Sequence, residues 1–202
     1  MKKLAFVFIT LLCSSFNTTD QMLTNAERDF GVKHLTETRT YLLNAIKGLS
    51  DAQLRFKTSP ERWSILECME HIVNSELLIS QGALGAVSQP TTPEKRSEIK
   101  YTDEQLISAI LDRTGKAKAP EMLQPTGKYP NAQAILEALN AQRDKNIEYL
   151  KTTTDDLRNH LFPHPFFGML DSYQWYLLVG AHQKRHTLQI EEVKADPNFP
   201  KK

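Results

Sequence analysis

Apolar positions recur along most of the chain at three- and four-residue steps, the spacing of one face of an α-helix. Strand patterns are weak, and the connecting segments are rich in proline and polar residues. Four long helices with long connections predict an all-α fold, a four-helix bundle with crossover connections and an extra short helix. The predicted helices cover about residues 25–48, 64–87, 131–152 and 171–195, with the short one over about 102–118.

Helix starts are marked by polar side chains that can satisfy free backbone amides. Ser64 is followed three residues later by Glu67, and Thr102 by Gln105. Such pairs form capping boxes, in which each side chain accepts a hydrogen bond from the backbone amide of the other residue. Asp171 fits an N-cap role at the start of the last helix.

The first residues have the layout of a secretory signal peptide. Lys2 and Lys3 precede an apolar run from Leu4 to Leu12, after which small and polar residues follow. The run is much shorter than the ~20 residues of a membrane-spanning helix. We therefore expect residues 1–19 to be a removable signal, the mature protein to be periplasmic or secreted, and no stable membrane insertion after signal removal.

Removal of this signal would leave a single cysteine. Cys13 lies within the signal, and Cys68 lies in the predicted second long helix. No intramolecular disulfide could then form, and we interpret Cys68 as a small buried hydrophobic residue. Lipidation of Cys13 is disfavoured because Leu12, rather than a small residue, precedes it, but the sequence leaves it open.

Chain length and the balance of charged residues restrict the classes of function that fit this sequence. The chain has 202 residues, with 25 basic and 24 acidic side chains. That length fits one helical domain over residues 20–196 and a tail over 197–202, and it buries a core without needing a metal for folding. Because the chain has neither a basic excess nor a basic stripe, we expect no nucleic-acid partner.

The last helix carries the strongest chemical signal. His182 and His186 lie one turn apart on its apolar stripe, and a shared metal would satisfy two buried imidazoles at this spacing. Hydrogen bonds within the core are the alternative. His71, at the edge of the apolar arc of the second helix, is the candidate third ligand, although a solvated border residue would fit there too.

No general base can be assigned from the sequence. Gln183 stands where a His-Glu-x-x-His metalloprotease has its glutamate. Glu67 is already explained by its capping box, and Glu70 is expected to be solvated. His164, in a loop before the last helix, could line a pocket mouth but is more typical of a bystander. The catalytic residues therefore stay unknown.

An ordered set of motifs resembles the DinB-like family. These are Trp63-Ser64-Ile65 followed by His71, then His164-Pro165-Phe166-Phe167-Gly168, Tyr173-Gln174-Trp175, and His182 with His186. The resemblance covers about residues 25–195 and implies an up-down-down-up bundle. It also implies a metal held by one histidine of the second bundle helix and two of the last, which correspond to His71, His182 and His186. Some members of the family are regarded as metal-dependent hydrolases, and others transfer groups to or from small thiols.

Together these features predict an exported protein that binds a divalent metal, with zinc or nickel favoured. We expect a hydrolase or transferase in which the metal activates water for attack on a small-molecule substrate, which the sequence does not identify. An oxidising compartment disfavours a thiol cosubstrate. A non-catalytic metal- or ligand-binding bundle and a metal-free interaction bundle are the alternatives, and a homodimer is left open.

Overall fold

A computed structural model describes residues 22–115 and 118–201 of the chain. The predicted signal over residues 1–19 lies outside the described residues. Short 3-10 turns at Pro93–Glu98 and Glu121–Leu123 interrupt two of the connections. The regular elements are α1 (Asn25–Ile46), α2 (Asp51–Arg55), α3 (Ile65–Val87), α4 (Asp103–Leu111), α5 (Ala132–Thr152), β1 (Leu161–His164), β2 (Gly168–Asp171) and α6 (Ser172–Lys194).

The long helices α1, α3, α5 and α6 form a bundle in which α6 packs between α1 and α3. Helices α1 and α6 run in the same direction. Near their starts, the Tyr173 hydroxyl donates to the Glu27 carbonyl over 2.6 Å. Near their ends, the Lys194 ammonium donates to the Ala45 carbonyl over 2.8 Å.

The other two long helices run against this pair. Arg28, near the start of α1, donates to the carbonyl of Thr153, just past the end of α5, over 3.0 Å. Gly82, near the end of α3, lies against the ring of Trp175, near the start of α6. The course is therefore up-down-down-up, and the prediction of an all-α four-helix bundle with this course is confirmed.

Capping residues explain where the helices begin. Every described α-helix except α5 starts with a complete capping box, and α5 starts at the N-cap Asn131. The boxes predicted at Ser64 and Thr102 and the N-cap predicted at Asp171 are confirmed. Each box satisfies two backbone groups that a helix start would otherwise leave unpaired.

A buried polar layer divides the apolar core into two clusters at mid-bundle. Arg143 of α5 is fully buried, and its Nε and Nη2 donate to Glu76 of α3 over 2.7 and 2.8 Å. The same guanidinium donates to the Leu35 carbonyl of α1 over 2.7 Å. Gln183 of α6 donates to the Thr38 carbonyl over 3.3 Å. These bonds join all four long helices at one level.

Three parts of the fold differ from the sequence expectation. Helix α4 ends at Leu111 instead of continuing to about residue 118, and α2 was not predicted. The segment predicted as a loop before the last helix contains the antiparallel pair β1–β2, which closes at Gly168 with φ 74°. Strands of four residues are too short for an alternating pattern to be recognised.

The predicted tail packs against the domain as far as Pro200. The Gln53 side chain of α2 donates to the Pro200 carbonyl over 2.8 Å, and the ring of Phe199 meets that of Phe56 edge-on with 5.6 Å between centroids. Among the residues that the structure describes, no helix combines the length and apolar character needed to cross a membrane.

Candidate metal centre

The three predicted histidines meet at the level of the polar layer. His71 lies in the second turn of α3, and His182 and His186 lie on α6, which packs antiparallel to α3. One donor nitrogen from each ring lies within 4.8 Å of the other two. His71 is only 3% exposed, so the alternative of a solvated border residue is wrong.

Hydrogen bonds determine which nitrogen of two rings carries the proton. His71 Nδ1 lies 2.8 Å from the Leu123 carbonyl oxygen, which can only accept, so this nitrogen carries the hydrogen. His186 Nδ1 lies 3.0 Å from Gln189 Oε1, and with the amide in this orientation the His186 ring also carries its proton on Nδ1. Both Nε2 atoms therefore present lone pairs, and they face each other across 3.2 Å.

Protonation does not relieve this contact, because the rings are kept neutral. Burial lowers the pKa of all three histidines, that of His182 to about 3 and that of His186 well below its usual value. For His71, the hydrogen bond to Leu123 opposes the effect of burial without reversing it. The Nε2 atoms of His71 and His186 thus face each other as unprotonated nitrogens.

This donor set fits a divalent metal ion. Imidazole nitrogens are common ligands of zinc, copper, iron and nickel. Two nitrogens at ~2.0–2.1 Å from one tetrahedral zinc ion lie about 3.3 Å apart, close to the 3.2 Å between the Nε2 atoms of His71 and His186. The ligand nitrogen of His182 lies within 4.8 Å of the other two and would move closer on binding the ion. We conclude that the residues present match a three-histidine metal site.

Two neighbours of the site were not assigned to it from the sequence. The ring of Trp63 packs 4.7 Å from that of His71 and 6.2 Å from that of His186, centroid to centroid. The buried Ser75 hydroxyl lies 3.4 Å from His71 Nε2. Ser75 follows His71 by four residues on the same helix face, and this spacing could have identified it. Trp63 covers one side of the ligands with an apolar surface.

Glu67, which was considered as a general base, and Gln183, which stands where a metalloprotease has its glutamate, both have other partners. The Glu67 carboxylate accepts from the Ser64 amide over 2.7 Å and pairs with the Lys57 ammonium at 2.8 Å. These contacts hold its pKa low although burial opposes them. Gln183 belongs to the polar layer and binds the Thr38 carbonyl. Neither side chain has a hydrogen bond to the three histidines in the described structure.

Glu70 was expected to be solvated, and this expectation is wrong. The side chain is 3% exposed because residues 118–130, which we call the strap, cover it. Its carboxylate accepts backbone hydrogen bonds from Thr126, Gly127 and Lys128. The sequence gives no signal for these contacts, since more than fifty positions separate Glu70 from the strap residues it binds.

His164 is not part of the ligand group. It ends β1, and its Nδ1 accepts from the backbone amides of Phe166 and Phe167 over 3.2 and 3.3 Å. The ring lies 5.0 Å from that of Trp175, which precedes His182 by two turns on α6. Burial lowers the pKa of His164 to about 4, so a neutral ring with its proton on Nε2 stands beside this apolar surface.

Two cavities lie away from the three histidines. One of about 570 Å³ opens on the other side of α3 and is lined by Glu67 and Glu70, among others. Another of about 490 Å³ borders Arg158 and Asp103. Neither is lined by a candidate ligand, and the converging donor nitrogens are stronger evidence of a site than cavity size. The three histidines themselves lie between α3 and α6.

Comparison with known proteins bears on the family and on the fold. The sequence profile of the DinB superfamily matches residues 34–190. The chain is 30% identical over 158 residues to the uncharacterized protein YuaE of Bacillus subtilis (strain 168), covering 78% of this chain and 93% of that protein. YfiT from Bacillus subtilis, described as a probable metal-dependent hydrolase with an unusual four-helix bundle topology, superposes with a TM-score of 0.58 and 18% identity, covering 86% of this chain and 89% of that chain. At this identity, the likeness to YfiT shows the fold alone.

Proposed function

The chain belongs to the DinB superfamily, and we propose that it binds one divalent metal ion through His71, His182 and His186 and acts as a metal-dependent hydrolase or transferase on a small molecule. Zinc or nickel is the proposed metal, because neutral imidazole ligands suit both. The description of YfiT as a probable metal-dependent hydrolase supports the reaction class.

One observation carries the proposal. The Nε2 atoms of His71 and His186 face each other at 3.2 Å, and each ring carries its proton on Nδ1, where it is hydrogen-bonded. Two buried lone pairs in contact are unfavourable without a cation between them. In a metal-free core, one of the rings would be expected to turn its N–H toward the other.

When bound, a divalent ion would polarise a carbonyl or similar group and activate water near neutral pH. The residues of the chain prepare the site for it. The Leu123 carbonyl and Gln189 orient two of the ligand rings through their Nδ1 protons, a common way of aiming histidine ligands. Trp63 excludes water from one side, and the Ser75 hydroxyl lies within reach of the ligand nitrogens. Because the ligands are neutral, the site would attract an anionic or strongly polar substrate group.

A non-catalytic metal- or ligand-binding bundle is the second candidate. It is favoured by the partners of the nearby carboxylates, since Glu67 is paired with Lys57 and Glu70 is bound to the strap. In the described part of the chain, neither carboxylate is placed to take a proton at the histidines. A measurement of turnover distinguishes the enzyme from the binding protein, because only an enzyme should show a pH–rate profile that depends on the metal.

Metal content tests the centre itself. The mature protein should be purified without a His tag or chelator and analysed for elements beside a His182→Ala/His186→Ala variant. His164→Ala serves as the matched control, because it removes a neighbouring imidazole that is not a ligand. We expect about one equivalent of metal in the wild type and in the control, and none in the double variant. No metal in any of them, even after reconstitution, would reject the proposal.

Export is a separate proposal, supported by the lysines and the apolar run at the start of the sequence. Fractionation of cells expressing the full chain, with N-terminal sequencing of the product, tests it. A periplasmic or secreted product that has lost about residues 1–19 is expected. An intact N-terminus in the cytoplasm would contradict it.

A further inference from the structure

Two consecutive residues of α3 bind the strap, and only one of them is a candidate ligand. His71 donates from Nδ1 to the Leu123 carbonyl over 2.8 Å. Glu70 binds residues 126–128 of the same segment. The metal site and the strap are therefore connected through adjacent positions of one helix, on two sides of its axis.

The Glu70 carboxylate is saturated by the strap. Oε1 accepts from the Thr126 amide over 2.9 Å, from its hydroxyl over 3.1 Å and from the Lys128 amide over 3.4 Å. Oε2 accepts from the Gly127 amide over 2.9 Å. A buried carboxylate that accepts four hydrogen bonds from one segment holds that segment strongly.

The backbone of the strap is shaped for this carboxylate. Gly127 has φ 73°, which lets successive amides turn toward one anion and favours glycine strongly over other residues. The segment contains Pro120, Pro125 and Pro130, which cannot donate backbone hydrogen bonds. The strap has little regular structure beyond the 3-10 turn Glu121–Leu123, and the Glu70 contacts anchor it three to five residues after Leu123.

We infer that Glu70 is a positioning residue of the metal centre. It holds the strap so that the Leu123 carbonyl stays on His71 Nδ1, and this bond keeps the ring turned with Nε2 toward the other ligands. Groups that orient histidine ligands through the second ring nitrogen alter metal affinity by about 10–100-fold. The inference rests on the proposed three-histidine centre but not on any reaction there.

Coupling between two sites is reciprocal, so a metal ion that fixes His71 must also stabilise the strap. Exposed lysines at positions 118 and 128 lie in the strap and provide tryptic cleavage sites. Zinc should slow cleavage after Lys118 and Lys128 in the wild type. A Glu70 variant, with its strap loosened, should be cut faster and be less protected by zinc.

The decisive experiment measures the Zn²⁺ dissociation constant by competition with a chromophoric chelator for the wild type and three variants. Glu70→Gln places an NH₂ group against the strap amides and should weaken binding about tenfold, the lower end of the range for orienting groups. Glu67→Gln is the matched control: it removes a carboxylate one turn before His71 yet keeps a capping box, which accepts glutamine. Its affinity should stay close to that of the wild type.

Gly127→Ala perturbs the strap without changing any charge. A Cβ there meets nothing within 4 Å, so the variant strains only the left-handed backbone. It should weaken zinc binding in the same direction as Glu70→Gln. If circular dichroism shows that Glu70→Gln does not fold, the zinc affinity of Gly127→Ala and its tryptic cleavage pattern still test the inference.

The outcomes are distinct. Weaker binding in Glu70→Gln and Gly127→Ala, but not in Glu67→Gln, supports the inference. Equal weakening in both glutamate variants with unchanged Gly127→Ala would indicate a simple charge effect and overturn it. Wild-type affinity in Glu70→Gln would overturn it as well. A wild-type protein that binds no zinc would instead remove the metal centre, and the inference with it.

Discussion

Helix α6 packs against α1 at Gly180, two residues before His182. A Cβ at position 180 would lie 2.5 Å from Cδ2 and Nε2 of His34 and 3.3 Å from Leu35 Cδ2. The His34 ring cannot move away without loss, because its Nε2 lies 3.1 Å from the Leu177 carbonyl. Gly180→Ala should therefore force either the ring or the helix pair to shift.

The magnitude follows from three effects. Overpacking a core contact costs about 1–3 kcal/mol, and losing the His34 hydrogen bond costs about 1 kcal/mol. Alanine in a helix interior gains about 1 kcal/mol over glycine. The net loss for Gly180→Ala should be about 2 kcal/mol of unfolding free energy. When His34 is already alanine, the helix gain is opposed only by the 3.3 Å contact with Leu35 Cδ2, and the same substitution should stabilise by about 0.5–1 kcal/mol.

Urea unfolding of the metal-free wild type, both single variants and the double variant measures these terms, provided that the dependence on urea is unchanged among them. The predicted signature is a change of sign, since Gly180→Ala destabilises with His34 present and stabilises without it. An equal loss in both backgrounds would refute the reasoning, because the cost would not come from the His34 contact.

Three other perturbations have defined outcomes. Arg143→Met should cost about 3–5 kcal/mol in urea unfolding, because Glu76 would keep a buried charge without its partner; a cost near zero would contradict this. Burial lowers the pKa of His34 to about 4 from 6.5. The unfolded chain therefore takes up this proton first, and stability is lost as pH falls from the unfolded value toward the folded one. His34 alone should account for about 1–2 kcal/mol of the stability lost between pH 7 and 5 in the metal-free protein; the other histidines with lowered pKa add to that loss, and His34→Gln should reduce the slope by the His34 share. Zinc at about 100 times its dissociation constant should raise the unfolding free energy by about 2.7 kcal/mol, and His71→Ala should abolish that gain in a thermal or urea titration.

Local interactions explain what could be predicted from the sequence. Helical periodicity and capping depend on residues three or four positions apart, so the long helices and the boxes at Ser64 and Thr102 are encoded where they occur. The pair His182 and His186 shares a face for the same reason. His71 lies at the edge of an apolar arc, and the resemblance to the DinB-like family matched it to the third ligand position.

Only the tertiary structure shows how these helices combine. The pairing of Glu76 with Arg143 spans 67 positions, and neither residue lies in a local sequence pattern that identifies its partner. Glu70 looks like a solvated neighbour of His71 on a helix wheel, yet the strap crosses its side of α3 and buries it. Burial and partner choice depend on which surfaces meet after packing. The sequence thus determined the helices and the candidate ligands, whereas packing decided that the ligand nitrogens converge and that the nearby carboxylates are bound elsewhere.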